Sequence, residues 1–513
     1  MAVAGQNDSA AGVRLLGDSS KRMEPNVNGR RQYIAVTILF LINLLNYVDR
    51  YTVAGVLISV QDYYNIGGTM AGLIQTVFLI SFMLFSPICG YLGDRFNRKV
   101  IILVGMVVWL AAVVASTFVP ADKFWMFLLF RGLVGIGEAS YSTVAPSMIS
   151  DMFTDIIRSR VFMIFYFAIP VGSGLGFIVG ANVASWTNSW QWGVRVSGII
   201  GVIVFILHIF LVYEPERGDG EKALGAQVTA KQSTYWEDLK ALVSIPTYIS
   251  CMWGYTALVF ASGTLIWWEP AIIEHLTAWK HNLTQTDDLS KSEKQKIGFF
   301  FGLITLASGL IGVTVGSLLS TAIRQGSFCF KRIKTERAPP LVSGGGALIA
   351  APLLLVALLF GDKSMTLLWI LMFVIITALC FNWGLNIDML MTVIVPCRRN
   401  TAFSYMMLIS HLFGDASGPY LIGMVSDMIR NGNDDPESQY YSLIKACFVA
   451  VGLLLVSAAL YFVCSLVLIR DQARFREEMG MADTPLANNG STESLDKTGF
   501  EKVPIKSVKE ATV

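Results

Sequence analysis

Two short stretches put charge where the surrounding sequence is apolar. N-L-L-N-Y-V-D-R-Y carries Asn43, Asn46, Asp49, Arg50 and Tyr51, and R-G-L-V-G-I-G-E-A-S-Y-S carries Arg131 and Glu138. Ionisable side chains at bilayer depth are costly; they face a bundle interior or a watery cavity and mark ion or substrate paths. Asn46 and Arg50 are i, i+4 neighbours on one helical face, and Arg131 and Glu138, two turns apart, also share a face. Helical rise puts Arg50 ~24 Å above Ile34, and Arg131 ~20 Å up in a ~30 Å core. Asp49 and Arg131 are thus depth-matched and expected to pair, with Glu138 about two turns lower. The chemistry expected of Asp49 or Glu138 is proton carriage. Desolvation favours a neutral carboxyl and a nearby Arg a charged one, so a cavity opening alternately to two sides changes proton affinity. The plainer alternative is a static ion pair locking two helices together.

Further along the chain, F-N-W-G-L-N-I-D-M-L places Asn382, Trp383, Asn386 and Asp388 in one apolar stretch, and S-H-L-F-G-D places His411 and Asp415 in the next. Histidine is the side chain whose unperturbed charge change falls near neutrality; a His satisfying one buried hydrogen bond is the alternative. The cavity wall expected from these positions comprises Asn43, Asn46, Tyr51, Asn382, Trp383, Asp388, His411 and Asp415. Otherwise this part of the chain is apolar and aromatic, with Trp253, Trp267 and Trp268 close together.

What positions such residues is a set of membrane helices. Of 513 residues, 54% are hydrophobic and only 15% charged, too little charge to coat a soluble protein of this length. A hydrocarbon core needs about 20 apolar helical residues. Twelve spans meet that need, near 33–60, 67–92, 99–119, 124–147, 160–182, 194–213, 246–275, 297–322, 340–361, 366–394, 400–427 and 441–469. Lys and Arg collect before span one and in the even-numbered connections, which puts both termini in the cytosol. The expected layout is an all-α membrane protein: a disordered cytosolic tail 1–32, six helices over 33–213, a polar linker 214–245, six more over 246–469, and a disordered tail 470–513. Residues 1–32 are polar, unlike a signal peptide, and Leu15-Leu16 has the look of a sorting signal but lacks its acidic residue. G-S-G-L-G-F-I-V-G in span five and A-S-G-P-Y-L-I-G in span eleven suggest repeated halves whose small residues form a rocking seam. Of three N-x-[ST] triplets, only Asn282-Leu283-Thr284 falls in an outer loop, where a glycan is accessible.

These features exclude several functions. The net charge of +2 gives no reason to invoke nucleic acid. The seven cysteines form no C-x-x-C pair and read as buried free thiols, and no metal site is expected. No H-E-x-x-H, G-x-S-x-G or P-loop is present, so an enzyme is not expected. A receptor or scaffold would not need charge buried on helices one and four. No cofactor is called for beyond a proton gradient.

G-Y-L-G-D-R-F-N-R-K at 90–99 resembles the loop signature of the major facilitator superfamily, with Asn97 where a glycine is usual. The resemblance implies a cytosolic gate made of Gly90, Asp94, Arg95, Arg98 and Lys99: Gly90 lets two helices approach, and Asp94 pairs with Arg95 or Arg98 while the cytosolic side is shut. Longer stretches at 43–57, 85–99, 131–146 and 165–176, and less closely 393–402 and 410–423, are similar to the spinster family within that superfamily. That similarity implies twelve helices in two pseudo-symmetric six-helix bundles; a monomer is expected, though the sequence does not fix the oligomeric state. The similarity also implies proton coupling through Asp49, Arg50, Arg131 and Glu138, and export of lysophospholipids from late endosomes or lysosomes. Export of sphingosine-1-phosphate at the plasma membrane is the alternative, and a sugar or drug carrier the more distant one. The partners expected are a lysolipid or sphingolipid substrate, protons and membrane lipids.

Overall fold

The computed structural model describes residues 27–226, 234–433 and 435–481. Among them the regular structure is entirely helical. The first half contains α1 (Val27–Gly55) with its short continuation α2 (Leu57–Tyr64), α3 (Gly68–Arg95), α4 (Arg98–Ser116), α5 (Phe124–Met152), α6 (Asp155–Tyr166) leading into α7 (Ala168–Thr187), and α8 (Trp190–Leu211). Two linker helices follow, α9 (Asp219–Ala223) and α10 (Tyr235–Val243). The second half contains α11 (Pro246–Lys280), α12 (Lys291–Gln325), α13 (Ala338–Phe360), α14 (Met365–Leu379) leading into α15 (Asn382–Met391), α16 (Arg399–Ser410), α17 (Ser417–Arg430) and α18 (Pro436–Glu478).

Ten of these runs are long and apolar enough to cross a bilayer. The other two expected spans, α5 and the α16–α17 run, fall short for reasons tied to what they carry. α5 has 29 residues, but Arg131, Glu138 and Asp151 lie among its buried positions; it faces protein more than lipid. α16 and α17 are separated by a π-helical turn, His411–Asp415, a local widening often found at functional sites. The α6–α7 break has a simple cause: Pro170 has no N–H to give the Tyr166 carbonyl.

The tails are shorter than the sequence suggests. Residues 27–32 already belong to α1 and residues 470–478 to α18, so helix replaces expected disorder there. Leu15-Leu16 and residues 482–513 lie outside the described residues.

The glycine stretch also does something different from its expected role. A Cβ on Gly172, Gly176 or Gly180 would meet the backbone of α1 at Leu44, Val48 or Thr52, 2.6–2.9 Å away. These glycines weld α7 to α1 inside one half instead of forming a seam between halves. Gly418 likewise abuts Phe260 and Thr264 of α11, and Gly423 the Trp268 ring. The two halves thus repeat the same weld, fifth helix on first. Of this set, Gly174 is the one that faces the other half, at Leu306 of α12.

Candidate functional site

α1, α5 and α8 converge on four charges. Arg131 Nη2 lies 3.4 Å from Asp49 Oδ2, and Ser197 Oγ on α8 donates to Asp49 Oδ1 at 2.7 Å. Arg50 Nη2 donates to Glu138 Oε1 at 2.8 Å. Neighbouring residues of α1 thus reach two levels of α5. The Arg50 guanidinium is stacked 4.5 Å from the Phe78 ring centroid and 5.4 Å from that of Tyr47. Accessibility separates the two pairs: Asp49 and Arg131 are 1% and 3% exposed, whereas the Arg50 side chain is 15% exposed. Three buried donors nearby have no protein acceptor: Asn46 Nδ2, Arg50 Nε and Arg131 Nη1. Asn43, by contrast, donates to the Phe165 carbonyl at 3.0 Å and braces α1 against α6. Tyr51 packs its ring on Phe177. Sequence reasoning missed Ser197, since a lone serine in an apolar helix carries no signal.

The second half contributes unevenly. His411 Nδ1 is 2.9 Å from Asp415 Oδ1 on the π-turn, and the imidazole meets the Phe82 ring of α3 edge-on at 5.4 Å. Asp415 is close enough to act electrostatically on Arg50 and Tyr47, so this dyad looks across at the charged pair. Asn382 does not: it is fully buried and donates to the Ser343 carbonyl of α13. Asn386 accepts from Tyr461 Oη at 3.0 Å and from Cys251 Sγ. Trp383 packs against Val313, Ile376 and Cys380, a cluster that Met163 and Phe167 of the first half also pack against. Asp388 is not a cavity residue at all. It accepts from Arg158 Nε at 2.9 Å and from Ser159 Oγ, with Arg324 3.9 Å away.

That last contact belongs to a layer at the Lys/Arg-rich end that joins the halves. Asp94 pairs with neither Arg95 nor Arg98. It accepts from Asn400 N, Asn400 Nδ2 and Thr401 N at 3.0, 2.9 and 2.8 Å, capping the N-terminus of α16, where free N–H groups and the helix dipole favour an anion. Arg98 goes instead to Asp151 and, at 2.8 Å, to Glu214. Lys99 donates its backbone N–H to Glu214 and its Nζ to the Ile209 carbonyl. Gly90 is as expected a point of close approach: a Cβ there would meet the Ser404 side chain and the Asn400 carbonyl of α16. Asn97 caps α4, its Oδ1 accepting from Val100 N.

The linker completes the layer. Glu221 of α9 accepts from Arg399 Nη2 at 2.5 Å and lies 3.8 Å from Arg158. Arg399 also reaches Asp151 at 2.9 Å. Asp238 of α10 holds Arg95 of the first half at 2.9 Å and Arg398 of the second at 2.7 Å. Burial works against the Glu221 carboxylate, but the Arg399 guanidinium, with Arg158, holds its pKa below the ordinary value. Every inter-half ion pair named here lies at the Lys/Arg-rich end, so this conformation is shut at that end. On the opposite side, Asn282 is exposed just past α11 in a left-handed backbone conformation.

The profile of the Major Facilitator Superfamily matches residues 39–419. Protein spinster homolog 1 of Homo sapiens is 42% identical over 406 residues, 78% of this chain and 74% of its own. Protein spinster homolog 3 of Danio rerio is 36% identical over 479 residues, covering 91% and 92%. Among solved structures, a bacterial homolog of the human lysosomal transporter Spinster, inward-facing and unoccupied, aligns with a TM-score of 0.57 at 21% identity, covering 86% of this chain and 98% of that one. The fucose:proton symporter FucP aligns with a TM-score of 0.61 at 16% identity, covering 85% and 99%. Both solved structures speak for the fold, and the two curated relatives for the family: the chain is a transporter of the spinster family within the major facilitator superfamily.

Proposed function

We propose that this chain is a proton-coupled carrier of lysophospholipids, lysophosphatidylcholine and lysophosphatidylethanolamine among them, working by alternating access at the lysosomal membrane and delivering its cargo to the cytosol. The observation that carries the reading is the Arg50–Glu138 pair. It is partly accessible, and the donors around it, Asn46 Nδ2, Arg50 Nε and Arg131 Nη1, lack protein acceptors. A cluster of free donors suits an acceptor-rich group such as a phosphodiester. A headgroup phosphate that draws Arg50 leaves Glu138 without its cation, and Glu138 then takes up a proton; release of the lipid restores the pair and frees the proton. The acyl chain is supported by the second half, where an apolar groove of about 580 Å³ lies between α11 and α18, with Trp253 and Phe413 among its lining residues. The lysosomal setting is supported by the likeness to a bacterial homolog of a human lysosomal transporter. An N-linked glycan at Asn282 belongs to the same proposal, and a mobility shift on glycosidase treatment tests it.

Purified protein in proteoliposomes loaded at acid pH with fluorescent lysophosphatidylcholine tests the substrate class. The expected result is release that exceeds that of empty liposomes, with no uptake of labelled glucose. Glucose flux without lysolipid release would overturn the reading, and preferential flux of sphingosine-1-phosphate would move it to the sphingolipid branch.

A further inference from the structure

Glu269 is a carboxyl that the charged core does not use. It sits in W-W-E-P on α11, 23 residues and therefore ~35 Å of helix from Pro246, and neither Arg50 nor Glu138 acts on it electrostatically. The residue is 9% exposed, and its Oε2 is sealed without a hydrogen-bond partner. Among the described residues no Lys, Arg or His forms an ion pair with it. Its surroundings are a packed seam. The preceding Trp268 donates Nε1–H to the Pro419 carbonyl at 2.9 Å and lies against Gly423 of α17. From α18 the titratable group near enough to feel its charge is the buried Cys447 thiol.

An ionised carboxylate in such a place has neither water nor a cation to stabilise it, whereas the protonated acid needs neither. We propose that Glu269 is a proton-binding site of the second half, separate from the Arg50–Glu138 pair, and that its proton holds the α11–α17–α18 seam closed. Loss of that proton requires water or a cation to reach Oε2, which is sealed while the seam stays packed. Proton release at Glu269 is therefore linked to separation of α17 from α11. Because α17 follows the π-turn that carries His411 and Asp415, the outer seam and the central dyad lie on one continuous run. The ligand is the proton itself, so the inference does not depend on which lipid is carried.

Infrared spectroscopy of the full chain in lipid nanodiscs, titrated from acid to alkaline pH, reads protonated carboxyl groups directly and needs no substrate. The expected result is a protonated-carboxyl band that persists at neutral pH in wild type, is absent from Glu269→Gln, and is displaced in Glu269→Asp, which keeps an acid. Trp268 fluorescence should change with alkaline pH in wild type and stay flat in Glu269→Gln. Should Glu269→Gln fail to fold, the displaced band of Glu269→Asp makes the same assignment. Carboxyl bands identical in wild type and both variants at every pH would overturn it.

Discussion

Ser197 and Arg131 take up both oxygens of Asp49, so an Asp49→Asn variant leaves the Arg131 guanidinium buried without its counter-charge. Stranding one partner of a buried pair costs about 3–5 kcal/mol, and thermal melting of the purified variant should show a loss of that order. Glu138→Gln should be milder by the same assay, because Arg50 is 15% exposed and water can hydrate it. The two variants should separate again in transport: Glu138→Gln flattens the pH dependence, and Asp49→Asn keeps it in whatever protein survives. At this scale the sequence was informative where depth could be counted. The Asp49–Arg131 proximity follows from rise per residue along two helices running in opposite senses. Ser197 was invisible, and so were the carboxylates that serve the gate, because Asp151, Glu221 and Asp238 stand in polar stretches where acidic residues are unremarkable.

Between α3 and α16 the fit leaves no room for a side chain at Gly90, where a Cβ would meet Ser404 and the Asn400 carbonyl. Overpacking of this kind costs about 1–3 kcal/mol, and here it penalises only the cytosol-shut state. Gly90→Ala should therefore increase the separation of labels on the cytosolic ends of α3 and α16, read by electron–electron spin resonance. An unchanged distance distribution would remove Gly90 from the gate. Helices were the most legible part of the chain, since apolar length alone set most boundaries within a few residues. Two element-level expectations failed for identifiable reasons. Asp388 lies 23 residues past Met365, ~35 Å of helix, which already exceeds a ~30 Å core and points to the Lys/Arg-rich rim. Asp94 was matched to its sequence neighbours, whereas its partners, Asn400 and Thr401, come from a helix some 300 residues away.

In the proposed cycle, opening at the Lys/Arg-rich end has to part Asp151 from Arg399 and Asp388 from Arg158, and the linker straddles both. Asp238 holds an arginine from each half, and Glu221 does the same. Asp238→Asn or Glu221→Gln should shift the balance toward the inward-open state by on the order of 10-fold, a typical coupling magnitude, seen as faster labelling of cavity cysteines from the cytosolic side. The pH response of this layer has a definite sign. Because Arg399 and Arg158 hold the Glu221 pKa below its ordinary value, its contribution is fully present above the usual Glu range of about 4.3 and is lost only as pH falls below that. The effect of Glu221→Gln on the labelling rate should therefore be the same at pH 7 and pH 5, and an effect that shrinks within that window would contradict the ion-paired reading of Glu221. The proposed mechanism assigns the pH sensitivity of transport to Glu138. The most direct measurement is the rate of fluorescent lysophosphatidylcholine flux in proteoliposomes across pH 5 to 8, for wild type and Glu138→Gln. Wild type should show flux that depends on pH, and Glu138→Gln residual flux that does not. A Glu138→Gln variant whose flux follows the wild-type pH profile would contradict the account.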